Sequence, residues 1–138
     1  MSPDALTDAL LDRSLPFAEW THVGHLTAAF VLTIRLGPPG ALDALRTAIP
    51  AFNEAVNGPG ANTDTSGYHE TITCYYAWAV AAVVADGGAL DAVLADPRTR
   101  REGPLAYWRR ETLFSTAARR AWVPPDLGLP SLPLAAAA

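Results

Sequence analysis

The longest uncharged stretch of the chain runs from Thr71 to Ala85 and consists mainly of alanine, valine and aromatic residues. It is shorter than the roughly 20 apolar residues that a helix needs to cross a bilayer. It therefore predicts a helix buried in a protein core. Other segments repeat apolar side chains at helical spacing, and none shows the sustained alternation of a strand. We therefore expect an all-α, single-domain helical bundle.

Glycine and proline breaks divide the chain into four main helices, predicted over about 3–14, 21–36, 41–57 and 68–85. Pro50 lies inside the third helix and should kink or divide it. Shorter helical pieces are expected over 89–95 and 104–113 and after Ser115. The domain should cover 1–130, and residues 131–138 should form a frayed C-terminal tail.

Charge and cysteine content restrict the partners and the compartment. The net charge is -4, so no overall field attracts the chain to nucleic acid or to an anionic membrane, and we expect neither as a partner. The first residues lack a basic region, so no signal peptide is predicted. One cysteine, Cys74, excludes an internal disulfide and fits a reducing cytoplasm. The apolar helices allow a homodimer.

The three histidines should meet at one end of the bundle. The second, third and fourth helices are joined by short loops, so they should pack antiparallel in turn. The start of the second helix, the end of the third and the start of the fourth then lie together. This arrangement gathers the following polar and aromatic residues into one neighbourhood: Trp20, His22, His25, Asn53, Glu54, His69, Glu70 and Thr73.

A metal centre is one interpretation of this cluster. Imidazole near a helix N-terminus stays neutral, as a metal ligand or a general base must be. Three imidazoles with an open fourth position suit a divalent Zn, Fe, Cu or Ni ion. A carboxylate from Glu70, Glu54 or Glu19 could complete the shell or act as a base toward a bound water.

The enzyme predicted on this basis hydrolyses, isomerises or oxidises a small molecule. Its metal ligands are His22, His25 and His69. Its base is Glu70 or Glu54, and the residues that orient ligands are Tyr68, Thr73 and Asn53.

Three other interpretations remain open. His69 and Glu70 could perform acid-base chemistry without a metal. The cluster could instead be a structural network in which each histidine bonds a carbonyl, an aspartate or a tyrosine, and Glu70 serves the helix dipole. A third possibility is a binding module without catalysis, which holds an anionic small molecule or a partner in the pocket or on the arginine-rich segment.

That arginine-rich segment spans 98–120 and carries seven of the ten arginines of a chain without lysine. Glu102 and Glu111 are its only acidic residues, and Tyr107 and Trp108 lie among the arginines. Guanidinium groups next to aromatic rings can bind phosphate or nucleic acid. The preferred interpretation is a set of solvated helix faces whose arginines pair with acids of the body. Residues 118–127 should form a strap with Trp122 and Val123 buried, and an arginine could reach Asp126.

Several motifs resemble those of a family of small bacterial proteins. The matching stretches are 20–26 (WTHVGHL), 49–53, 67–73 (GYHETIT), 113–115 and 118–127, which begins AR and contains WVPPDL. Together they span roughly residues 15 to 130, nearly the whole chain, and the resemblance implies no activity. A second, weaker likeness is to DinB-type bundles, which bind metal through three histidines from different helices. Their histidine pair is spaced i,i+4, whereas His22 and His25 are spaced i,i+3.

Overall fold

The computed structural model describes residues 1–127, which form six α-helices and no strand. The all-α prediction is therefore confirmed. The helices are α1 (Pro3–Leu11), α2 (His22–Asn57), α3 (Glu70–Ala85), α4 (Leu90–Ala95), α5 (Arg110–Leu113) and α6 (Thr116–Arg120), with single 3₁₀ turns at Phe17–Glu19, Pro97–Thr99 and Gly103–Ala106. The predicted tail, 131–138, lies outside the described residues. Within residues 1–127, no helix has the length and apolarity needed to cross a membrane.

Helix α2 is broken into two arms at Gly37, as the sequence predicts. Gly37 has φ 77° and ψ 167°, a conformation available almost only to glycine. Pro38 and Pro39 follow directly and begin the second arm, where their missing N–H groups cost no helical hydrogen bond. Pro50 does not divide this arm, contrary to one of the two predicted outcomes, since Gly37 alone has non-helical dihedrals within α2. Packing of the buried neighbours Ile49 and Phe52 holds the helix together there.

The core has α2 at its centre, because both α1 and α3 pack against it. On one side, Leu10 of α1 packs with Ala28 and Phe52 of α2. On the other side, Leu26 and Leu45 of α2 pack with apolar residues of α3 such as Val80. The long uncharged helix predicted from the sequence is α3, and it lies in the interior between α2 and the C-terminal helices.

The C-terminal segment crosses α3 as a strap held by backbone hydrogen bonds. The indole N–H of the fully buried Trp108 donates to the Val123 carbonyl over 2.9 Å. The Thr71 hydroxyl donates to the Ala121 carbonyl and accepts from the Val123 N–H. The predicted strap therefore forms, with Trp122 and Val123 half-buried rather than fully buried.

The partners of the strap's arginines differ in part from the prediction. Asp126 accepts the backbone N–H of Arg109 and the Thr112 hydroxyl, not an arginine side chain. Arg120 forms an ion pair with Asp64 in the loop before α3. The C-terminal segment is thus attached both to α3 and to that loop.

Candidate binding cleft

A cleft lies between the start of α2, the start of α3 and the segment 97–119. It consists of three adjoining cavities of about 400, 330 and 250 Å³, all lined by Ile72. We call the largest the Arg101 lobe; it is also lined by His22, His25 and Tyr76. The second is the Arg119 lobe, and the smallest extends the Arg101 lobe toward Phe114.

The predicted convergence of chain segments is largely observed. The Arg119 lobe is lined by Trp20 and His25 from the first segment, Asn53 from the end of α2, and His69 and Thr73 from the start of α3. The antiparallel order of the helices therefore brings these residues to one end of the bundle. Glu54, in contrast, is solvent-exposed and lines none of the three cavities, and neither does Glu70.

His69 is a structural residue in this fold. Its backbone is extended, and it is the N-cap of α3 rather than a residue of the first turn. The Ile72 N–H donates to its Nδ1 over 3.1 Å, and its Nε2 lies 2.7 Å from the Leu113 carbonyl oxygen, to which it donates. Both ring nitrogens are therefore engaged, and the buried ring has no lone pair left for a metal or for a substrate proton.

His22 and His25 each use one nitrogen and keep the other. The Nε2 of His22 lies 2.7 Å from the Thr99 carbonyl oxygen, and the Nδ1 of His25 lies 2.7 Å from the Thr21 carbonyl oxygen. Because a carbonyl only accepts, each of these nitrogens carries the proton. The His22 Nδ1 and the His25 Nε2 are left as hydrogen-bond acceptors beside the Arg101 lobe.

Trp20 is stacked on the imidazole of His25, with ring centroids 3.6 Å apart and an interplanar angle of 24°. A close backbone approach positions it. A Cβ atom at Gly24 would lie 2.5 Å from the Glu19 carbonyl oxygen, so only glycine lets the 3₁₀ turn Phe17–Glu19 rest on the first turn of α2. The turn then delivers Trp20, the next residue, over His25.

The contacts of the three histidines do not favour the predicted metal centre, which stays a prediction. Within residues 1–127, no group of three or more histidine, cysteine, aspartate or glutamate side chains is arranged to hold a metal ion. His69 would have to give up both the cap of α3 and its bond to Leu113 to become a ligand. The ligand role of His69 therefore stays a prediction that its hydrogen bonds do not favour, and His22 and His25 have one free nitrogen each.

Glu70 is the anion of a buried network on the other face of α3. Its carboxylate lies 2.6 Å from Nη2 and 2.9 Å from Nε of Arg46, and it accepts the Tyr68 hydroxyl over 2.6 Å and the Cys74 thiol over 3.3 Å. Burial opposes ionisation, but these donors hold the pKa of Glu70 below its ordinary value. Burial and the neighbouring carboxylate raise the pKa of Cys74 to about 12. These contacts do not favour the predicted role of Glu70 as a catalytic base.

The sequence predicts that Tyr68, Thr73 and Asn53 orient ligands. All three line the Arg119 lobe, but they donate hydrogen bonds to other residues of the chain. The Tyr68 hydroxyl donates to Glu70, and burial together with that carboxylate raises its pKa. The Thr73 hydroxyl donates to the His69 carbonyl, and the Asn53 amide donates to the side chain of Asn62. They shape the lobe, and nothing in their contacts favours a catalytic role.

Two arginines of the segment 98–120 reach the cleft, where anion binding was the alternative to the preferred interpretation of solvated faces. The Arg101 guanidinium makes no hydrogen bond or ion pair with residues 1–127; only its carbonyl is bonded, by Tyr76. Arg119 uses one nitrogen, Nη1, which donates to the Gly67 carbonyl over 3.0 Å and approaches that of Tyr68 at 3.4 Å. The excess of positive charge over 98–120 was the available signal, and the sequence assigned it to solvated faces.

Two of the histidines that line the cleft have lowered pKa values. The pKa of His25 is lowered, mainly by burial and further by the neighbouring His22 and Arg101, although its bond to the Thr21 carbonyl opposes the shift. The pKa of His69 is also lowered, first by burial and then by Arg119, against the opposing effect of the Leu113 carbonyl. Both rings are therefore neutral at pH 7.

These lowered pKa values predict that the fold loses stability in mild acid. The pKa values of His25 and His69 lie below 6.5 in the folded chain, so just below pH 6.5 the unfolded chain binds more protons. The contribution of these two histidines to the free energy of unfolding is complete above about pH 6.5. It is lost as the pH falls through their pKa values in the folded chain. Urea unfolding at about pH 7.5 and about pH 5.5 should show a lower free energy of unfolding in acid.

The control for this prediction is His69→Asn, which keeps a cap acceptor but cannot titrate. The difference in stability between the two pH values should be smaller in this variant. If the stability difference between the two pH values were equal in both proteins, His69 would not be a source of the acid sensitivity. Above pH 5 the carboxylates contribute little, because the pKa values of Glu70 and Asp96 are lowered from already acidic values.

Comparisons of the chain with protein-family models, with curated proteins and with solved structures found no match.

Proposed function

We propose that the protein binds a small organic anion in the Arg101 lobe and acts as a binding module rather than as a metalloenzyme. The observation that carries the proposal is the Arg101 guanidinium, which lines a cavity of about 400 Å³ without a hydrogen-bond or ion-pair partner among residues 1–127. Arg101 is solvent-exposed, and Arg13 and Arg100 also lack an ion pair within residues 1–127, so its position beside two imidazoles in the Arg101 lobe is what distinguishes it. A guanidinium is planar and fits a carboxylate or a phosphate through two parallel hydrogen bonds.

The two histidines define a second property of the ligand. The free His22 Nδ1 and His25 Nε2 are acceptors, so they repel an anionic oxygen and attract an O–H or N–H group. The ligand therefore carries a hydrogen-bond donor near its anionic group, as a hydroxy acid does. Trp20, Ile72 and Tyr76 supply apolar and aromatic surface for the rest of the molecule.

Metal-assisted chemistry has less support from these residues. Two imidazoles with free nitrogens line the Arg101 lobe, and no carboxylate or third imidazole lines it with them. A metal-dependent activity stays a prediction of the sequence, as does the cytoplasmic location. The binding experiment below is therefore run both with and without a chelator.

The test compares mandelate, an aromatic hydroxy acid, with phenylacetate, which lacks the hydroxyl group, by isothermal titration calorimetry. Mandelate should bind more tightly, because only its hydroxyl can donate to a histidine. Arg101→Gln should weaken mandelate binding by about 10- to 100-fold, since a hydrogen bond to a charged group contributes about 1.5–3 kcal/mol. Inorganic phosphate, titrated in the same way, shows whether the site prefers a phosphate to a carboxylate.

The matched control is Arg100→Gln, which removes the same charge from the neighbouring residue. Arg100 lines a separate cavity on the other side of the segment, next to Tyr75 and Pro97. Binding to this variant should differ from the wild type by less than about twofold, because exposed charges outside the site contribute little. Equal losses in both variants, or binding that needs an added divalent metal and disappears in chelator, would overturn the proposal.

A further inference from the structure

The Arg101 and Arg119 lobes adjoin each other. Ile72, Trp20 and His25 line both cavities, so a ligand that reaches both lobes passes over these three side chains. Arg101 lies in one lobe and Arg119 in the other. Each arginine lowers the pKa of a histidine in its own lobe, His25 for Arg101 and His69 for Arg119, which shows that each charge acts on the cleft.

Arg119 is held in a fixed position and retains unused donors. Its Nη1 is bonded to the Gly67 carbonyl in the loop before α3, and α6, which carries it, is capped by the Ser115 hydroxyl. Its Nε and Nη2 make no hydrogen bond with residues 1–127, where only Nη1 is engaged. The residues lining this lobe include no carboxylate; Glu70, which bonds to the lining residue Tyr68 and raises the pKa of His69, has its charge paired with Arg46. A second anionic group would therefore meet a positioned cation whose nearest carboxylate is already paired.

The surface between the two arginines is apolar or neutral. Ile72 is aliphatic, Trp20 presents an indole ring, and the imidazole under that ring is uncharged because the pKa of His25 is lowered. A charged group placed at this point would lose hydration without gaining a partner. The middle of a ligand that spans the cleft is accordingly an apolar spacer.

We infer that the ligand is an elongated organic dianion, with one carboxylate at Arg101, the other at Arg119, and an apolar spacer across Ile72. This inference rests on the proposed function and adds the second anionic group and the spacer to it. The competing arrangement, in which each lobe holds a separate monoanion, differs in stoichiometry. A single molecule that reaches both arginines gains from the high effective concentration of its second end.

The experiment is a calorimetric titration of the full chain with straight-chain dicarboxylates from glutarate to suberate. The matched probe for adipate is hexanoate, which has the same number of carbon atoms and one carboxylate. One length of dicarboxylate should bind with one-to-one stoichiometry and at least about tenfold more tightly than its monocarboxylate. Shorter and longer members of the series should bind less tightly, because only one spacer length matches the span.

Variants at position 119 separate this inference from a general effect of charge. Arg119→Gln should reduce the affinity for the preferred dicarboxylate to that of the monocarboxylate and leave monocarboxylate binding within about twofold. Arg119→Lys keeps the charge and should restore part of the advantage. Arg120→Gln, which removes an arginine paired with Asp64, is the control and should leave both affinities unchanged. Thermal unfolding of each variant verifies that the fold is retained.

Different results would overturn the two proposals. Equal affinity for hexanoate and adipate, with both lost in Arg101→Gln, would overturn the dianion and leave the proposed function standing. Binding of two molecules per chain would do the same. The absence of Arg101-dependent binding for mandelate as well as for every mono- and dicarboxylate in the panel would overturn the proposed function itself.

Discussion

Replacing His69 by alanine is expected to lower the free energy of unfolding by about 2–4 kcal/mol. The variant removes the cap of α3, for which such losses are about 1 kcal/mol, and it leaves the Leu113 carbonyl without its donor in a buried position, which costs about 1–3 kcal/mol. Urea unfolding at pH 7.5 or above, where the histidines are neutral, measures the effect without titration.

The control is His69→Asn, whose side-chain oxygen can accept the Ile72 N–H as the imidazole does, while the bond to Leu113 is lost. It should therefore lose only part of the stability that His69→Ala loses. The three-histidine hypothesis makes the opposite prediction: little change in stability of the metal-free protein and loss of zinc binding in both variants. If unfolding and zinc titration showed that result, His69 would be a metal ligand and not mainly the cap of α3.

Replacing Arg46 by methionine is expected to destabilise the protein by about 2–3 kcal/mol at pH 7. Breaking a fully buried pair costs about 3–5 kcal/mol, and the value here is smaller because solvent reaches part of the network. The Glu70 side chain is 14% exposed and that of Arg46 is 31% exposed. Without Arg46, burial raises the pKa of Glu70, so the carboxyl becomes protonated more easily. The deficit relative to the wild type should therefore shrink as the pH falls below the pKa reached in the variant.

Two further variants verify this explanation by urea unfolding. The double substitution Arg46→Met with Glu70→Leu leaves no unpaired charge and should recover most of the lost stability. Arg35→Met removes an arginine that pairs only with the exposed carboxylates of Asp4 and Asp8, and it should have a small effect. If the double variant were as unstable as Arg46→Met alone, packing of the arginine stem rather than charge pairing would explain the loss.

The helices of this protein could be predicted because local signals determine them. Gly37 followed by two prolines marks the break in α2, and the uncharged run after Glu70 marks the buried α3. The convergence of the His25, Asn53 and His69 segments followed from the order of the helices alone. The effect of Pro50 was harder to predict, since the packing of its neighbours outweighs its local preference.

The roles of individual site residues could not be predicted, because contacts with distant segments decide them. His69 was expected in a first turn, where its ring would point into the cluster; one residue earlier, as N-cap, it bonds to Ile72 and to Leu113. Glu70 lies next to it, but the partner that fixes its role is Arg46 on another helix. Likewise, no local pattern distinguishes Arg101 from Arg100, and only the path of the 3₁₀ turns sends one of them into the cleft.

The hydrogen bonds from His22 to Thr99 and from His69 to Leu113 join early segments of the chain to segments that are synthesised late. Residues 1–85 contain all three long helices and can pack together as soon as they leave the ribosome. His22, however, acquires its carbonyl partner only after Thr99 has emerged, His69 only after Leu113, and Arg119 follows later still. The helical framework is thus completed early in translation, and the proposed ligand site is completed near its end.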